Sequence, residues 1–213
     1  MTTYTLGIVA HVNRRDMANQ LANQVEAAYI SFDDGTLGFG NHRRVWQLVA
    51  DEHKDWAVVL EDDAMPVAGF TQQLTAALHN APTPIVSLYL GNDDRTPPNI
   101  TAAVAKAKAC DAAYILGRQV RHAVALAIKT EHVASMLTYV DRRRYFPIDD
   151  AINGWHARQM THTLVTYTAP SLVDHKDGPS VIERHRDGLP RNTPRKAIHV
   201  GTRRNWTTGT VTI

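Results

Sequence analysis

The stretch over residues 56–67, WAVVLEDDAMPV, constrains this chain most. Its first five residues are apolar, do not alternate with polar residues and include β-branched side chains, which predicts a short strand buried on both faces. Three consecutive acids follow, Glu61, Asp62 and Asp63, and Pro66 stops the strand from simply continuing. Ligands of open α/β sheets bind outside the carboxyl ends of strands, so the acids indicate a site.

Three carboxylates in succession repel one another when all are ionised. A divalent cation bound by oxygen ligands is a common way of stabilising such a cluster. The acidic stretch therefore predicts a metal site. A polar turn that caps the following segment would explain the same residues, so both interpretations stand at this point.

The length of 213 residues suits one sizeable core, so we expect one main domain over residues 1–182 and a tail over residues 183–213. Hydrophobic residues at 44% and charged residues at 21% are typical of a globular protein rather than a disordered one. No apolar run approaches a membrane span and no basic region opens the chain, which predicts a cytoplasmic protein. Cys110 stands alone, which excludes an internal disulfide.

Net charge is only +2, but the basic residues are unevenly distributed. Residues 183–204 contain two acids and seven basic residues, which are Arg184, Arg186, Arg191, Arg195, Lys196, Arg203 and Arg204. Such a tail favours phosphate, whether of a nucleotide, a nucleic acid or a membrane. A merely solvated basic tail fits the same composition.

The first part of the chain predicts a βαβ unit. Residues 5–12 are apolar enough for an inner strand. Residues 16–27 have helical spacing, with Asp16 as the N-cap. Residues 28–32 form a second strand, and it runs into Asp33.

A loop containing glycines, residues 35–40, follows the second strand and does not match GxGxxG, so it is not a dinucleotide fingerprint. Asn41 is placed to cap a helix that ends near residue 52. Arg43 would lie in its first turn, where a positive charge opposes the helix dipole and a bound phosphate would compensate for it. A solvated arginine is the alternative.

Later strands are expected over residues 85–90, 112–116, 123–128 and 164–167, with a last edge strand over residues 211–213. The gap between the second and third of these has the length of a hairpin connection. We therefore predict a single Rossmann-like α/β domain with helices around a mixed sheet, parallel in its first half and antiparallel later. Another short helix is expected after Pro147, where Asp149 and Asp150 would act as N-terminal acids.

Together these pieces resemble the GT-A fold glycosyltransferases, and most nearly glycosyltransferase family 25, the lipopolysaccharide and collagen galactosyltransferase group. In that family a glycine-containing loop and a histidine-bearing helix start precede an apolar strand that ends in EDD. The matching pieces span about residues 6–182 and are residues 35–40, 41–42, 60–63, 113–116, 147–150 and 170–175. The small size and short strands also resemble phage-encoded glycosyltransferases, which would place the protein in the host cytoplasm.

The resemblance implies that residues 1–182 form a GT-A catalytic domain that binds a nucleotide sugar, such as a UDP-hexose, with Mn²⁺ or Mg²⁺. By match to the motif, Asp63 is the direct metal ligand and Glu61 is a metal ligand or ribose contact. His175 would complete the metal site from a later loop, although a histidine in a polar loop is often simply exposed. Asp62 is assigned only a cofactor contact, because alternation should point it away from its neighbours.

The resemblance also implies roles for residues elsewhere. Asp33 would contact the base and ribose of the donor, although a turn residue is the simpler explanation. Asp150 would remove the proton of the acceptor hydroxyl, with Asp149 as helix cap or acceptor ligand. Arg184, Arg186 and the pair Arg203 and Arg204 of the tail would close over the diphosphate.

The function predicted is thus the transfer of a hexose, with inversion, from a nucleotide sugar to a hydroxyl acceptor that is a saccharide, a protein or a modified DNA base. A phage-type DNA-base glycosyltransferase is one variant of it; the basic tail favours DNA and the modest total charge argues against it. A nucleotide- or metal-binding module without catalysis is a second alternative. A metal-dependent phosphoesterase is a third, because clustered aspartates also build two-metal sites.

Overall fold

The computed structural model describes residues 2–33, 39–92, 96–143, 147–176 and 195–213. The strands in these ranges are β1 (Tyr4–Ala10), β2 (Tyr29–Phe32), β3 (Trp56–Glu61), β4 (Ala64–Pro66), β5 (Ile85–Ser87), β6 (Gly91–Asn92), β7 (Tyr114–Gly117), β8 (Ala125–Lys129), β9 (Val165–Thr168), β10 (Val173–His175), β11 (Lys196–Ala197) and β12 (Thr210–Thr212). The α-helices are α1 (Arg15–Val25), α2 (Phe39–Asp51), α3 (Phe70–His79), α4 (Pro98–Ala109), α5 (Thr130–Val140) and α6 (Ile148–Gln159).

Eight of the described strands form one sheet in the order β12-β7-β9-β5-β8-β3-β1-β2. β1 runs parallel to β2 and β3, whereas β8 lies antiparallel between β3 and β5. β9 is parallel to β5 and antiparallel to β7, which carries β12 in parallel at the edge. The predicted α/β fold, with a parallel first part and antiparallel later strands, is confirmed. So is the late edge strand.

The directions of these strands bring five carboxyl ends to one side of the sheet. Because β3 and β5 are both antiparallel to β8, they are parallel to each other, and β1, β2 and β9 share their direction. We call this side the carboxyl edge. Two small antiparallel pairs, β4 with β10 and β6 with β11, lie in the segments that follow β3, β5 and β9.

Alternation along β3 divides its side chains between two cores. Val58 and Leu60 pack with α1 and α3 on one face of the sheet, whereas Ala57 and Val59 pack with α2, α4, α5 and α6 on the other. All four side chains are fully buried, as the apolar run predicts. Glu61 is next in this alternation and therefore belongs to the α2 and α6 face.

The expected hairpin between residues 112–116 and 123–128 is wrong. β7 and β8 are separated in the sheet by β9 and β5. The connecting residues cover the sheet instead of turning: Val120 and Ala123 are buried in the core, and the Val120 amide donates to Asn153 Oδ1 of α6 at 3.0 Å. A hairpin-length gap does not specify pairing when the connecting residues are themselves apolar enough to be buried.

Two expected helix caps are also wrong. α1 begins at Arg15 with Arg14 as its N-cap residue, because a 3₁₀ turn over Val12–Arg14 comes first; Asp16 lies within the first turn. Asn41 lies inside α2, where its amide donates to the carbonyl oxygens of Ala10 at 3.0 Å and Ser31 at 2.8 Å. Asn41 thus ties the ends of β1 and β2 to the helix.

The last described residues are built into the domain. β11 and β12 pair with β6 and β7, and Trp206 is buried. Arg203 donates to the carbonyl oxygens of Asp111, Ala112 and Ala169 at 2.8, 3.0 and 3.1 Å, so its guanidinium holds this segment to the sheet. In the described ranges, no helix combines the length and apolar character that a membrane crossing requires.

Gly7 allows α2 to pack closely on β1. A Cβ at this position would lie 2.6 Å from Val45 Cγ1 and 2.8 Å from Val49 Cγ1. Both valines are fully buried and have stiff β-branched side chains, so neither can move away at low cost.

We expect Gly7→Ala to lower the free energy of unfolding by about 1–3 kcal/mol through overpacking, measured by denaturant unfolding. Gly209→Ala is the control, because a Cβ there would meet nothing within 4 Å, and it should change stability by less than about 0.5 kcal/mol. Equal free energies of unfolding for the two variants would show that the packing of α2 on β1 tolerates a Cβ at residue 7.

Candidate active site

Asp62 joins the ends of β1 and β3 at the carboxyl edge. Its Oδ2 accepts a hydrogen bond from the His11 backbone N–H at 2.8 Å, and its Oδ1 accepts one from Arg14 Nη1 at 2.9 Å. The side chain is buried. Because both oxygens have protein partners, Asp62 stabilises the site's framework. Alternation does not separate it from Asp63, because Arg14 Nη1 contacts both carboxylates.

Asp63 lies beside His175, as the resemblance implied. β4 and β10 pair antiparallel with Ala64 opposite His175, and the Lys176 N–H donates to the Asp63 carbonyl oxygen at 2.8 Å. His175 Nε2 consequently lies 3.3 Å from Asp63 Oδ2, which also accepts from Arg14 Nη1 at 2.8 Å. One guanidinium nitrogen therefore bridges the carboxylates of Asp62 and Asp63.

Three atoms of this pair have no hydrogen-bond partner although they are buried. They are Asp63 Oδ1 and both ring nitrogens of His175, whose contact with Asp63 is close but poorly directed. Asp63 is 8% exposed and His175 is 1% exposed. Since buried polar atoms in native proteins are nearly always paired, an oxygen and a nitrogen left over side by side indicate a place for a ligand.

The pKa values of the two aspartates shift in opposite directions, although burial acts on both in the same direction. Burial raises the pKa of Asp62 and outweighs the opposing effect of the His11 N–H and Arg14. For Asp63 burial acts in the same direction, but the nearby His175 ring and then the Arg14 guanidinium outweigh it and lower the pKa. The surroundings of Asp63 therefore favour its ionised form, which a cation ligand requires.

Glu61 lies with a different group of side chains. Its Oε1 is 3.3 Å from His42 Nε2 on α2, and its charge acts on Asp149 at the start of α6. His42 is buried, and its Nδ1 has no hydrogen-bond partner. The structure thus brings Glu61, His42 and Asp149 together on one face, while Asp63 and His175 meet beside β4 and β10.

Asp149 and Asp150 differ in environment although they are adjacent. Burial, then the charge of Glu61, raises the pKa of Asp149 to about 6. Asp150 is exposed, and its backbone N–H donates to Asp149 Oδ1 at 3.0 Å. A carboxylate with a pKa close to neutrality is suited to accepting a proton, so the environment favours Asp149 as a base over Asp150.

Among the other residues predicted to contact the donor are Asp33, Arg43, Arg184 and Arg186, and the structure describes the first two of these. The Asp33 N–H donates to the Ala10 carbonyl oxygen at 2.7 Å, which places Asp33 at the carboxyl edge beside the end of β1. Arg43 makes a two-pronged ion pair with Asp141 at 2.7 and 3.2 Å and thereby links α2 to the end of α5. Arg184 and Arg186 lie outside the described residues.

Asp63 and His175 can supply two ligands to a divalent cation. Within the described ranges, no group of three or more His, Cys, Asp or Glu side chains is arranged to hold a metal ion. Two protein ligands are sufficient where phosphate oxygens of a substrate complete the coordination, which is how Mg²⁺ is commonly held. The donor set therefore fits a cation bound together with a diphosphate, with Glu61 in the neighbouring group.

Arg14 is the residue that the sequence did not identify. The only local signal is a pair of arginines directly after the first strand. Its partners, Asp62 and Asp63, are 48 and 49 positions away in the chain, and only the parallel pairing of β1 with β3 brings them together.

No protein-family model matches the sequence, and no curated protein matches it, so membership of glycosyltransferase family 25 is not confirmed. The following two are among the solved structures that match this chain. A197 from STIV matches with 11% identity and a TM-score of 0.47, over 82% of this chain and 86% of that one. A glycosyltransferase involved in the glycosylation of the major capsid of PBCV-1 matches with 9% identity and a TM-score of 0.46, over 83% and 94%. Similarity at this level does not by itself assign a function.

The raised pKa of Asp149 predicts a pH-dependent stability. The folded state binds this proton more tightly than the unfolded chain does, so ionised Asp149 destabilises the fold above about pH 6, and the cost disappears as the pH falls towards 3.8. We expect Asp149→Asn to raise the free energy of unfolding by about 2 kcal/mol at neutral pH, allowing for partial exposure, and by little near pH 4.

Denaturant unfolding across this pH range measures the difference between variant and wild type. Asp150→Asn is the companion variant: because the charge of Asp150 also raises the pKa of Asp149, removing it should weaken the pH dependence of stability without abolishing it. A constant difference for Asp149→Asn would contradict a raised pKa.

Proposed function

We propose that this chain is a metal-dependent glycosyltransferase that moves a hexose from a nucleotide sugar, such as a UDP-hexose, to an acceptor hydroxyl. The observation that carries the proposal is the buried Asp63–His175 pair at the carboxyl edge, with Asp63 Oδ1 and the histidine ring lacking partners. Both residues belong to the pieces that resemble glycosyltransferases of the GT-A fold. Asp149, on the other face of β3, is the proposed base for the acceptor hydroxyl.

In this proposal the diphosphate of the donor binds next to Asp63 and His175. These two residues would hold Mn²⁺ or Mg²⁺, which would supply neutralisation of the charge on the departing nucleoside diphosphate. Asp33 is positioned at the end of β2 to contact the nucleoside. Asp62 acts indirectly, because it fixes Arg14 and the end of β1.

The transfer itself is a displacement at the anomeric carbon. The acceptor oxygen forms a bond to that carbon while the bond to the phosphate oxygen breaks, and the nucleoside diphosphate leaves with the electron pair. Asp149 takes the acceptor proton, and its raised pKa makes it a stronger base than an ordinary carboxylate. A single displacement inverts the configuration of the sugar. Glu61 supports Asp149 by raising its affinity for the proton.

Asp63→Asn should lower Mn²⁺-dependent hydrolysis and transfer of a UDP-hexose by at least about a hundredfold, because the neutral side chain is a poor cation ligand. The measurement is release of UDP across a panel of nucleotide sugars and acceptors. Asp51→Asn is the control, since Asp51 is an exposed acid at the end of α2. Unchanged activity of Asp63→Asn would overturn the proposal, and UDP binding with no turnover of any sugar nucleotide would support a non-catalytic module instead.

Asp149→Asn should lower kcat by about 10² to 10⁴, the usual contribution of a general base, and leave the dissociation constant of the donor within about twofold. Asp150→Asn should retain most of the wild-type kcat. If the two variants show the opposite pattern, Asp150 is the base and the burial of Asp149 serves only the helix start.

A further inference from the structure

Arg14 already occupies one side of the carboxylate that the cation would use. Its Nη1 lies 2.8 Å from Asp63 Oδ2 and 2.9 Å from Asp62 Oδ1, and its side chain is only 15% exposed. The oxygen of Asp63 that is left without a partner, Oδ1, is bonded to the same carbon as Oδ2. A cation on Oδ1 would consequently be a close neighbour of the guanidinium.

Two positive charges at this separation repel each other, and burial strengthens the repulsion because little water screens it. An arginine cannot relieve it by losing its proton, because its pKa is too high. A divalent cation alone is therefore poorly accommodated next to Asp63.

A diphosphate changes this balance. Its negative charge attracts the cation and the Arg14 guanidinium at once. Because Arg14 contacts the Asp63 carboxylate, the guanidinium and a cation on that carboxylate are close enough to bind the same phosphate oxygens. The same nucleotide would bind less tightly without the cation. Binding of the two ligands is then coupled, with equal effects in both directions.

We propose that Arg14 makes cation binding conditional on the nucleoside diphosphate, so that the cation and the diphosphate enter the site together and the cation alone binds weakly. This inference rests on the proposed function, because it concerns the same cation site. It assigns Arg14 as a positioning residue rather than a catalytic one. Its consequence for the enzyme is that the site is loaded with metal only when donor or product is present.

The test compares Mn²⁺ binding with and without UDP, by electron paramagnetic resonance or calorimetry, in the wild type and in Arg14→Gln. We expect the strengthening of Mn²⁺ binding by UDP to be at least about tenfold greater in the wild type than in Arg14→Gln. Without UDP, Arg14→Gln should bind Mn²⁺ at least about fivefold more tightly than the wild type does. Arg14→Lys keeps the positive charge and should retain most of the coupling.

Arg15→Gln is the matched control. Its guanidinium lies over the Phe32 ring, 4.0 Å from the centroid, so the variant removes a neighbouring positive charge without removing the ion pairs to Asp62 and Asp63. It should behave as the wild type. Arg14→Gln combined with Asp62→Asn guards against loss of folding, since it removes the buried acid that would otherwise lose its counterion, and it should show the same loss of coupling.

The outcomes separate this inference from the function itself. The inference fails, and Arg14 is only structural, if Mn²⁺ affinity and its dependence on UDP are unchanged in Arg14→Gln and in Arg14→Gln with Asp62→Asn. In that case loss of turnover in Asp63→Asn still supports the transferase. If no variant binds Mn²⁺ even with UDP, both the cation site and the inference are overturned.

Discussion

The burial of consecutive acids at the end of an inner strand is the constraint on which the site depends. β3 is apolar and enclosed by helices on both faces, so the side chains that follow it cannot all turn to water. Alternation sends Glu61 to the α2 and α6 face, and the turn carries Asp62 and Asp63 to the other group. A carboxylate that is buried, as in Asp62 and Asp63, or half-buried, as in Glu61, requires a positive or hydrogen-bonding partner. The fold provides them from three separate segments, with His42, Arg14 and His175.

Much of the architecture was predictable because the signals are local. A run of apolar β-branched residues indicates a buried strand wherever it pairs, and β3 was found in this way. The edge strand β12 was predicted from the β-branched residues near the end of the given sequence. The hairpin predicted between the strands that became β7 and β8 does not form, because strand pairing is a property of the whole sheet. The cap at Asn41 failed for a related reason: its amide bonds to the ends of two strands that only the assembled sheet brings near.

Some residues of the candidate site were likewise predictable from local sequence, whereas others depend on contacts that only the folded chain makes. Asp63 and His175 were matched by motif, and the antiparallel pairing of β4 with β10 brings them together. Arg14 was missed because its role depends on contacts across the β1–β3 pairing, which no spacing in the sequence reveals. Asp149 and Asp150 have the same side chain, so residue type could not separate them; burial and the nearness of Glu61 do so.

The separation of the acids into two groups has a chemical consequence. A cation strong enough to stabilise a departing diphosphate would also lower the pKa of any carboxylate it touched, and a base must keep its affinity for a proton. Here the residue proposed as base shares its surroundings with another carboxylate, Glu61, which raises its pKa. The proposed cation ligand shares its surroundings with a guanidinium and a histidine, which lower its pKa. The fold thus provides two acids of opposite character, Asp63 after β3 and Asp149 at the start of α6, in separate surroundings.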